Sequence, residues 1–176
     1  MTPVQKDALR RELLDRRRAR PAAELERAGS ALAAHTASEP LIARARRVAA
    51  YRSMRTEPPT AALIEALLAT GREVLVPVIV ADHQLDWEVV GAEATEHRGR
   101  DALATCDVVL APALAADHAG HRLGRGAGYY DRALEGLGVP IVAVVFDDEL
   151  LPQIPHEPHD VDIDAVLTPG GLFRVP

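Results

Sequence analysis

The stretch DVVLAP, from Asp107 to Pro112, is an apolar run in which no polar residue follows the first position. Strands that are covered on both faces of a parallel sheet read as continuous apolar runs, whereas half-exposed strands alternate with polar residues. The stretch therefore predicts a strand in the middle of a sheet. Further short runs rich in branched residues, most of them also continuously apolar, are typical of additional strands: RRVAAYRS, EVLVPVIV, LDWEVV, PIVAVVF and DAVLT.

Helical patterns lie between and before these runs. VQKDALRRELLDRRRAR has an apolar stripe that ends before Pro21, and AAELERAGSALAAHTASE ends near Pro40. TAALIEALLAT has Thr60 as its candidate N-cap and Gly71 as its stop signal. Helices alternating with buried strands predict an α/β fold in which a largely parallel sheet is sandwiched. The 176 residues suit one domain, 1–176, with no repeat or long linker.

Composition narrows the class of function. A net charge of −6 argues against a general nucleic-acid binder, although the first helix is locally basic. One cysteine cannot form an internal disulfide, and no apolar run approaches the length of a membrane span or signal peptide. We therefore expect a cytoplasmic protein that uses neither nucleic acid nor a membrane.

The stretch HRLGRGAGYYDRAL, from His121 to Leu134, combines three glycines, arginines and a tyrosine pair. Glycines let backbone N–H groups approach a phosphate closely, and Arg122 and Arg125 add forked donors for phosphate oxygens. The helix predicted to begin at the tyrosines would present its N-terminus to the anion. The spacing G-x-G-x-G is neither a Walker loop nor the dinucleotide fingerprint, so a plain surface turn with two core tyrosines stays open on these residues alone.

Acidic residues cluster in PHEPHDVDID, from Pro155 to Asp164. With no second cysteine and two histidines flanking a proline, the segment does not indicate a zinc site. Asp131 and Asp160 could instead supply carboxylates to Mg²⁺ beside nucleotide phosphates. A turn-capping role for Asp160 is the simpler alternative on spacing alone.

Two further groups of residues are candidates for ligand binding. Glu57 precedes two prolines in YRSMRTEPPT and could bind the amino groups of a heterocycle, or be an exposed loop acid. Lys6 and Arg10 lie one helical turn apart and could hold a polyphosphate, or meet solvent.

The order of these segments resembles the 5-formyltetrahydrofolate cyclo-ligase family, also called 5,10-methenyltetrahydrofolate synthetases. The similarity runs from K-x-x-L-R (Lys6, Leu9, Arg10) through S-M-x-x-E (Ser53, Met54, Glu57) and GREVLVPVI. It continues in LAPALAADHAGHRLGRGAGYYDRAL and LPQIPHEPHDVDIDAVLTP, and the core R-L-G-R-G-x-G-Y-Y-D is specific to that family. The resemblance implies a three-layer α/β/α sandwich, in agreement with the alternation of elements.

The resemblance also implies site residues. It places the folate against Arg52, Met54 and Glu57, with Arg125 and Tyr129 between the two ligands. ATP would be bound by the first helix and the glycine loop, namely by Lys6, Arg10, Arg122, Leu123, Gly124, Arg125, Gly126, Ala127, Gly128, Tyr129 and Tyr130.

Metal and catalytic roles follow the same resemblance. Asp131 and Asp160 would bind Mg²⁺, and Arg125, Tyr129 and Asp131 would act in catalysis. Position 127 is Ala where many members carry Lys or Gly, so only its backbone N–H can meet a phosphate. The stretch GAEATEHRGRDALATC, 91–106, lacks the family's usual glycine and Glu-Pro signature, so contacts to the folate tail from that segment are not carried over.

The activity that the resemblance implies begins with transfer of the γ-phosphoryl group of ATP to the formyl oxygen of 5-formyltetrahydrofolate. Nitrogen-10 then closes the ring, which gives 5,10-methenyltetrahydrofolate, ADP and phosphate. The alternative is a catalytically inactive folate- or nucleotide-binding protein of the same fold. A sugar-phosphate isomerase or CoA-transferase relative would not explain the glycine–arginine loop joined to Y-Y-D. We expect a monomer or weak homodimer.

Overall fold

A seven-stranded sheet forms the centre of the protein, described here from a computed structural model that covers residues 3–81, 84–92 and 97–176. Five strands are parallel, in the order β9-β7-β4-β1-β2, and β10 and β3 pair antiparallel at the two edges. The strands of this sheet are β1 (Arg47–Ala49), β2 (Glu73–Val80), β3 (Gln84–Val89), β4 (Val108–Pro112), β7 (Ile141–Val144), β9 (Ala165–Thr168) and β10 (Gly171–Arg174).

A smaller sheet and the helices complete the chain. The smaller sheet has the order β6-β5-β8, from β5 (Ala115–Asp117), β6 (Arg122–Leu123) and β8 (Leu150–Leu151). The helices are α1 (Pro3–Arg18), α2 (Ala22–Ser38), α3 (Pro40–Ala43), α4 (Ala61–Ala69) and α5 (Tyr129–Leu134), with 3₁₀ turns at Arg100–Thr105 and Asp147–Glu149.

Side-chain alternation along the strands divides the core between the two faces of the sheet. Val108 and Leu110 of β4 pack with Leu32 of α2 and Leu63 of α4 on one face. On the other face Val109 packs in a second cluster, together with residues of the Arg100–Thr105 turn and of α5. Both faces of β4 are thus covered, which is why its sequence is apolar at every position. The predicted three-layer α/β/α sandwich with a largely parallel sheet is confirmed.

The end of α4 shows how local sequence sets a boundary. Gly71 adopts φ 78°, and the N–H groups of Gly71 and Arg72 bond to the carbonyls of Leu68 and Leu67. This Schellman arrangement satisfies the last carbonyls of the helix and confirms the predicted stop. Thr60 does precede the helix, but its hydroxyl donates to the carbonyl of Tyr51 at 2.5 Å. It therefore ties the start of α4 to the end of β1 and does not cap the helix.

Helix α1 is held at the end of the sheet by a buried ion pair. Arg17 donates to both carboxylate oxygens of Glu149, each at 2.7 Å, and to the carbonyl of Ala113 at 2.6 Å. Leu13, on the same helix, packs with Leu114 and with Ala115 and Leu123 of the smaller sheet. The first helix is thereby fixed beside the segment that follows β4.

The described residues include no helix that is both long enough and apolar enough to span a bilayer. The smaller sheet and β10 have no counterpart in the sequence-based prediction, because these short strands do not fall in runs rich in branched apolar residues, the signal by which β1, β7 and β9 were predicted.

Candidate active site

A pocket of about 380 Å³ opens at the carboxyl ends of β1, β2 and β4. This is the end of a parallel sheet at which α/β proteins bind ligands. Its lining combines the segment after β1, an apolar wall from β2 and β3, and the glycine loop, and comprises Tyr51, Arg52, Met54, Glu57, Pro77, Ile79, Leu85, Pro112, Ala113, Arg122, Gly124, Arg125, Gly126, Ala127, Gly128, Tyr129, Tyr130 and Asp131.

The glycine loop has a backbone that only glycine adopts easily. Gly126 and Gly128 have φ values of 100° and 71°, in the left-handed region. A Cβ atom on Gly126 would lie 3.4 Å from the guanidinium carbon of Arg10, whose Nε donates to the carbonyl of Gly124 at 3.0 Å. The loop therefore packs against α1 through Arg10, a residue that was predicted, like the loop, to bind ATP.

Arg122 supports the loop from beneath. Its guanidinium is almost fully buried, donates to the carbonyl of Pro112 at 3.1 Å, and forms an ion pair with Asp131. A Cβ atom on Gly124 would lie 3.2 Å from its Nη1. Arg122 thus joins the end of β4 to the loop and to α5.

Glu57 is buried at the base of the pocket, with 5% of its surface exposed. Its Oε2 accepts the backbone N–H of Met54 at 2.7 Å, and its Oε1 lies 3.3 Å from Nε of Arg125. Arg125 also donates to the hydroxyl of Thr56 at 3.3 Å. One carboxylate therefore closes the 54–57 turn and links that turn to the glycine loop, so the interpretation of Glu57 as an exposed loop acid is wrong.

Three buried aromatic donors lie at or behind the pocket wall. The hydroxyls of Tyr51 and Tyr130 and the indole N–H of Trp87 are buried without a hydrogen-bond partner among the described residues. Tyr130 packs against Trp87 edge-on, with ring centroids 6.4 Å apart. Burial raises the pKa of both tyrosines, and the charge of Glu57 raises them further, so both hydroxyls keep their protons at neutral pH. Because unpaired buried donors are costly, these groups favour a ligand that accepts hydrogen bonds.

Lys6 lies in a carboxylate cluster beside the glycine loop. Its ammonium is 2.5 Å from Oδ2 of Asp160 and 2.6 Å from Oε2 of Glu157. Burial alone would lower the pKa of Lys6, but the hydrogen bonds to the two carboxylates outweigh it and raise the pKa. Asp160 also accepts the backbone N–H of Glu157 at 2.7 Å, so it closes a turn as well. The turn-capping role raised for Asp160 is therefore present, and the same carboxylate is ion-paired with Lys6, whereas its role as a Mg²⁺ ligand stays a prediction.

Each of the four basic side chains proposed for ATP has a carboxylate partner within the described residues. Lys6 is paired with Asp160, Arg10 with Asp7, Arg122 with Asp131 and Arg125 with Glu57. A phosphate that approaches the loop would compete with these carboxylates for the same N–H donors.

The two proposed Mg²⁺ ligands differ in their ion-pair partners and in their position. Asp131 is paired with Arg122 and lines the pocket, whereas Asp160 is paired with Lys6 and does not line it.

The predicted residues divide into two groups by position. Those proposed for the folate and most of the glycine loop share the pocket, whereas Lys6, Arg10, Leu123 and Asp160 do not line it. Leu123 is buried in the cluster that holds α1. Part of the divergent segment 91–106, namely 93–96, lies outside the described residues.

Sequence reasoning missed the apolar wall of the pocket and the role of Tyr51. Pro77, Ile79 and Leu85 line the cavity from β2 and β3. The sequence offered one usable signal, since tyrosines are scarce and Tyr51 directly precedes Arg52 at the end of a predicted strand. The wall itself arises from strand pairing, in which Pro77 lies opposite Trp87.

The chain is similar to known proteins along most of its length. A model of the 5-formyltetrahydrofolate cyclo-ligase family matches residues 3–169. The 5-formyltetrahydrofolate cyclo-ligase of Mycolicibacterium smegmatis is 40% identical over an alignment of 188 positions, which covers 96% of each protein. That of Escherichia coli is 30% identical over 177 residues, covering 90% of this chain and 97% of the relative. The solved structure of 5,10-methenyltetrahydrofolate synthetase from Aquifex aeolicus superposes with a TM-score of 0.82 at 23% identity, over 97% of this chain and 92% of the other.

Proposed function

The chain belongs to the 5-formyltetrahydrofolate cyclo-ligase family, and from this premise we propose that it converts 5-formyltetrahydrofolate into 5,10-methenyltetrahydrofolate in a reaction that consumes ATP. The observation that carries the proposal is the shared pocket, in which the glycine loop and the Tyr51–Glu57 segment face one cavity. Groups suited to phosphate and groups suited to a heterocycle therefore meet where a phosphoryl group could pass between two ligands.

The chemical problem is the formyl oxygen, which is a poor leaving group. Transfer of the γ-phosphoryl group to this oxygen forms an O–P bond and releases ADP. Nitrogen-10 then attacks the formyl carbon and loses its proton to water, the C–O bond breaks, and the oxygen leaves as part of phosphate. Phosphoryl transfer depends mainly on positioning and charge neutralisation, so no covalent nucleophile from the protein is required.

The glycine loop supplies positioning for the triphosphate. Its backbone N–H groups, including that of Ala127, can face phosphate oxygens because Gly126 and Gly128 hold the left-handed turns. Helix α5 has only six residues, so we assign the phosphate contacts to the loop and its arginines more than to a helix dipole. Arg125 is half-exposed and can leave Glu57 for the transferring group.

The folate ring would lie between Glu57 and the apolar wall of β2 and β3. The carboxylate of Glu57 can accept from the amino groups of a reduced pterin, and Tyr51 and Tyr130 can donate to its ring oxygen or nitrogens. Tyr129 and Arg125 line the same cavity, and we assign both to the space between the two ligands. Arg52 and Met54 border the pocket on the side of the 54–57 turn.

Magnesium suits the oxygen donors of this site, and Asp131 fits it because its carboxylate lines the pocket beside the loop. When bound with ATP, Mg²⁺ would neutralise phosphate charge. Arg122 would have to share or release Asp131, and Lys6 would have to release Asp160, since both carboxylates are ion-paired. Lys6, once released, would offer its ammonium to a phosphate oxygen.

The test is an absorbance assay with 5-formyltetrahydrofolate, ATP and Mg²⁺, which follows the near-ultraviolet band of the methenyl product. We expect the band to grow only when all three are present. Binding of both ligands without any absorbance change would favour the alternative, an inactive folate- or nucleotide-binding protein.

A further inference from the structure

Two imidazoles and a carboxylate meet outside the pocket. His121 directly precedes Arg122 of β6, whereas His156 and Asp162 lie on the segment between β8 and β9. One potential ligand atom from each residue lies within 4.8 Å of the other two. None of the three lines the pocket proposed for ATP and folate.

His121 is oriented by a buried carboxylate. Its Nδ1 lies 2.9 Å from Oδ2 of Asp117, which is fully buried and also accepts backbone N–H groups of Ala119, His121 and Ile154. A buried carboxylate that is hydrogen-bonded to Nδ1 keeps the proton of a neutral imidazole on that nitrogen and leaves the lone pair of Nε2 for a cation.

His156 has a nitrogen that the protein leaves unsatisfied. Its ring stacks on that of His121, with centroids 4.0 Å apart and planes 23° apart. Its Nδ1 atom is buried and has no hydrogen-bond partner among the described residues, since Asp160 and Asp162 lie at 3.8 and 3.9 Å. A buried nitrogen without a partner is costly, and a cation would satisfy it.

We propose that His121, His156 and Asp162 form a binding site for a first-row divalent cation of the Zn²⁺ class. Two imidazole nitrogens and one carboxylate oxygen are a common donor set for such ions and leave a position for water. Bond lengths of about 2.0–2.2 Å place tetrahedral ligand atoms roughly 3.3 Å apart, so the three groups must approach one another, and the two stacked rings must tilt until their in-plane lone pairs meet at the ion. Asp162 is 69% exposed at its side chain and is free to make that movement.

The donor set also separates this site from the one proposed for Mg²⁺, which prefers oxygen ligands. The segment 155–164 alone had not indicated zinc, because the required imidazole of His121 comes from a distant part of the chain. A cation here would join the residue directly before β6 to the segment that carries Asp160. Binding should therefore raise the melting temperature of the protein.

The experiment is a titration of the untagged chain with Co²⁺, followed by its visible absorption, and with Zn²⁺, followed by calorimetry, both without ATP or folate. We expect one equivalent to bind and the affinity to fall at least tenfold in His156→Ala and in Asp162→Asn. His97→Ala is the matched control, because His97 is partly exposed and lies 3.5 Å from Asp86. Its affinity should match that of the unaltered chain, and excess Mg²⁺ should not displace Co²⁺.

Affinities within twofold of the unaltered chain in both site variants would overturn the proposal, as would an equal loss in His97→Ala or displacement by Mg²⁺. Circular dichroism melting without metal checks that the variants fold, and exposed Asp162 makes Asp162→Asn the safer of the two. Because no substrate is present, the result is independent of the proposed cyclo-ligase activity.

Discussion

Glu57 has an observed structural role in addition to the role proposed for it in folate binding. One carboxylate oxygen closes the 54–57 turn, and the other lies beside Arg125 on the glycine loop. The amide of Gln can keep the turn by accepting the N–H of Met54 through its oxygen, but it loses the charge offered to a ring amino group.

We expect Glu57→Gln to weaken binding of 5-formyltetrahydrofolate by about 1.5–3 kcal/mol, since a hydrogen bond to a charged group is lost, and to change ATP binding much less. Calorimetry with each ligand separately measures the difference. Equal losses for both ligands would mean that Glu57 supports the whole site and does not contact the folate.

Arg122 and Arg125 differ in burial and should differ in kinetics. Arg122 is buried and bonded to both Pro112 and Asp131. Arg125 is half-exposed, and its guanidinium contacts the 54–57 turn. We expect Arg125→Lys to lower kcat, because an ammonium cannot reproduce the guanidinium fork at the transferring phosphoryl group. Arg122→Lys should chiefly raise KM for ATP by loosening the loop.

Steady-state kinetics over a range of ATP concentrations separates the two effects. An Arg125→Lys variant altered only in KM would remove its transition-state role and leave the loop as a passive phosphate cradle.

At the scale of elements, the buried pair between Arg17 and Glu149 fixes α1 to the end of the sheet. Removing Arg17 leaves the charge of Glu149 buried, with the N–H of Phe146 as the described donor to its Oε2 and the guanidinium of Arg20 3.9 Å from its Oε1. We expect Arg17→Met to reduce the free energy of unfolding by about 3–5 kcal/mol in urea denaturation. The double variant Arg17→Met, Glu149→Gln should recover part of this loss, and a loss below about 1 kcal/mol in the single variant would contradict the account.

Asp107 holds the start of β1 beside β4 and makes this join sensitive to acid. Its Oδ2 accepts the backbone N–H groups of Arg47 and Arg46 at 2.9 and 2.7 Å, and these hydrogen bonds lower the pKa of the carboxyl group. The stabilisation is therefore fully present above the unfolded-state pKa of about 3.9 and is lost as pH falls through the lower folded-state pKa.

We expect Asp107→Asn to be less stable than the unaltered chain at pH 6 by about 0.5–1.5 kcal/mol, because the amide oxygen of Asn can still accept the two N–H groups but lacks the negative charge that strengthens these hydrogen bonds. The difference should shrink toward pH 3, where the native carboxyl group is also becoming protonated. Urea denaturation across this range tests it, and a difference independent of pH would show that the charge of Asp107 is unimportant.

The elements differ in how far the sequence determines them. DVVLAP and PIVAVVF predict strands correctly because a strand covered on both faces must be apolar at every position. The end of α4 was predictable because Gly71 alone can take the left-handed turn cheaply. The role of Thr60 was not predictable, because its hydroxyl donates to the carbonyl of Tyr51, and this contact depends on how β1 and α4 pack.

At the scale of the whole molecule, the pocket lies at the carboxyl ends of the central strands, between the segment after β1, strands β2 and β3, and the glycine loop. Sequence patterns predicted Glu57 and the glycine loop as ligand candidates, because turns and charged donors leave a local signal. They could not predict that Arg125 would contact Glu57, or that Tyr51 and Tyr130 would leave two buried hydroxyls at one cavity. Those contacts join distant segments and follow only from the topology of the sheet.

In the proposed reaction, the phosphoryl group of ATP activates the formyl oxygen. Following that oxygen into the products is the sharpest test of this step. The substrate is prepared with ¹⁸O in its formyl group and turned over with ATP and Mg²⁺, and the phosphate formed is examined by mass spectrometry. If the formyl oxygen is phosphorylated and leaves on ring closure, each phosphate carries one ¹⁸O atom for each methenyl product. Unlabelled phosphate, with the label intact in the remaining substrate, would mean that water accepts the phosphoryl group and would contradict the account.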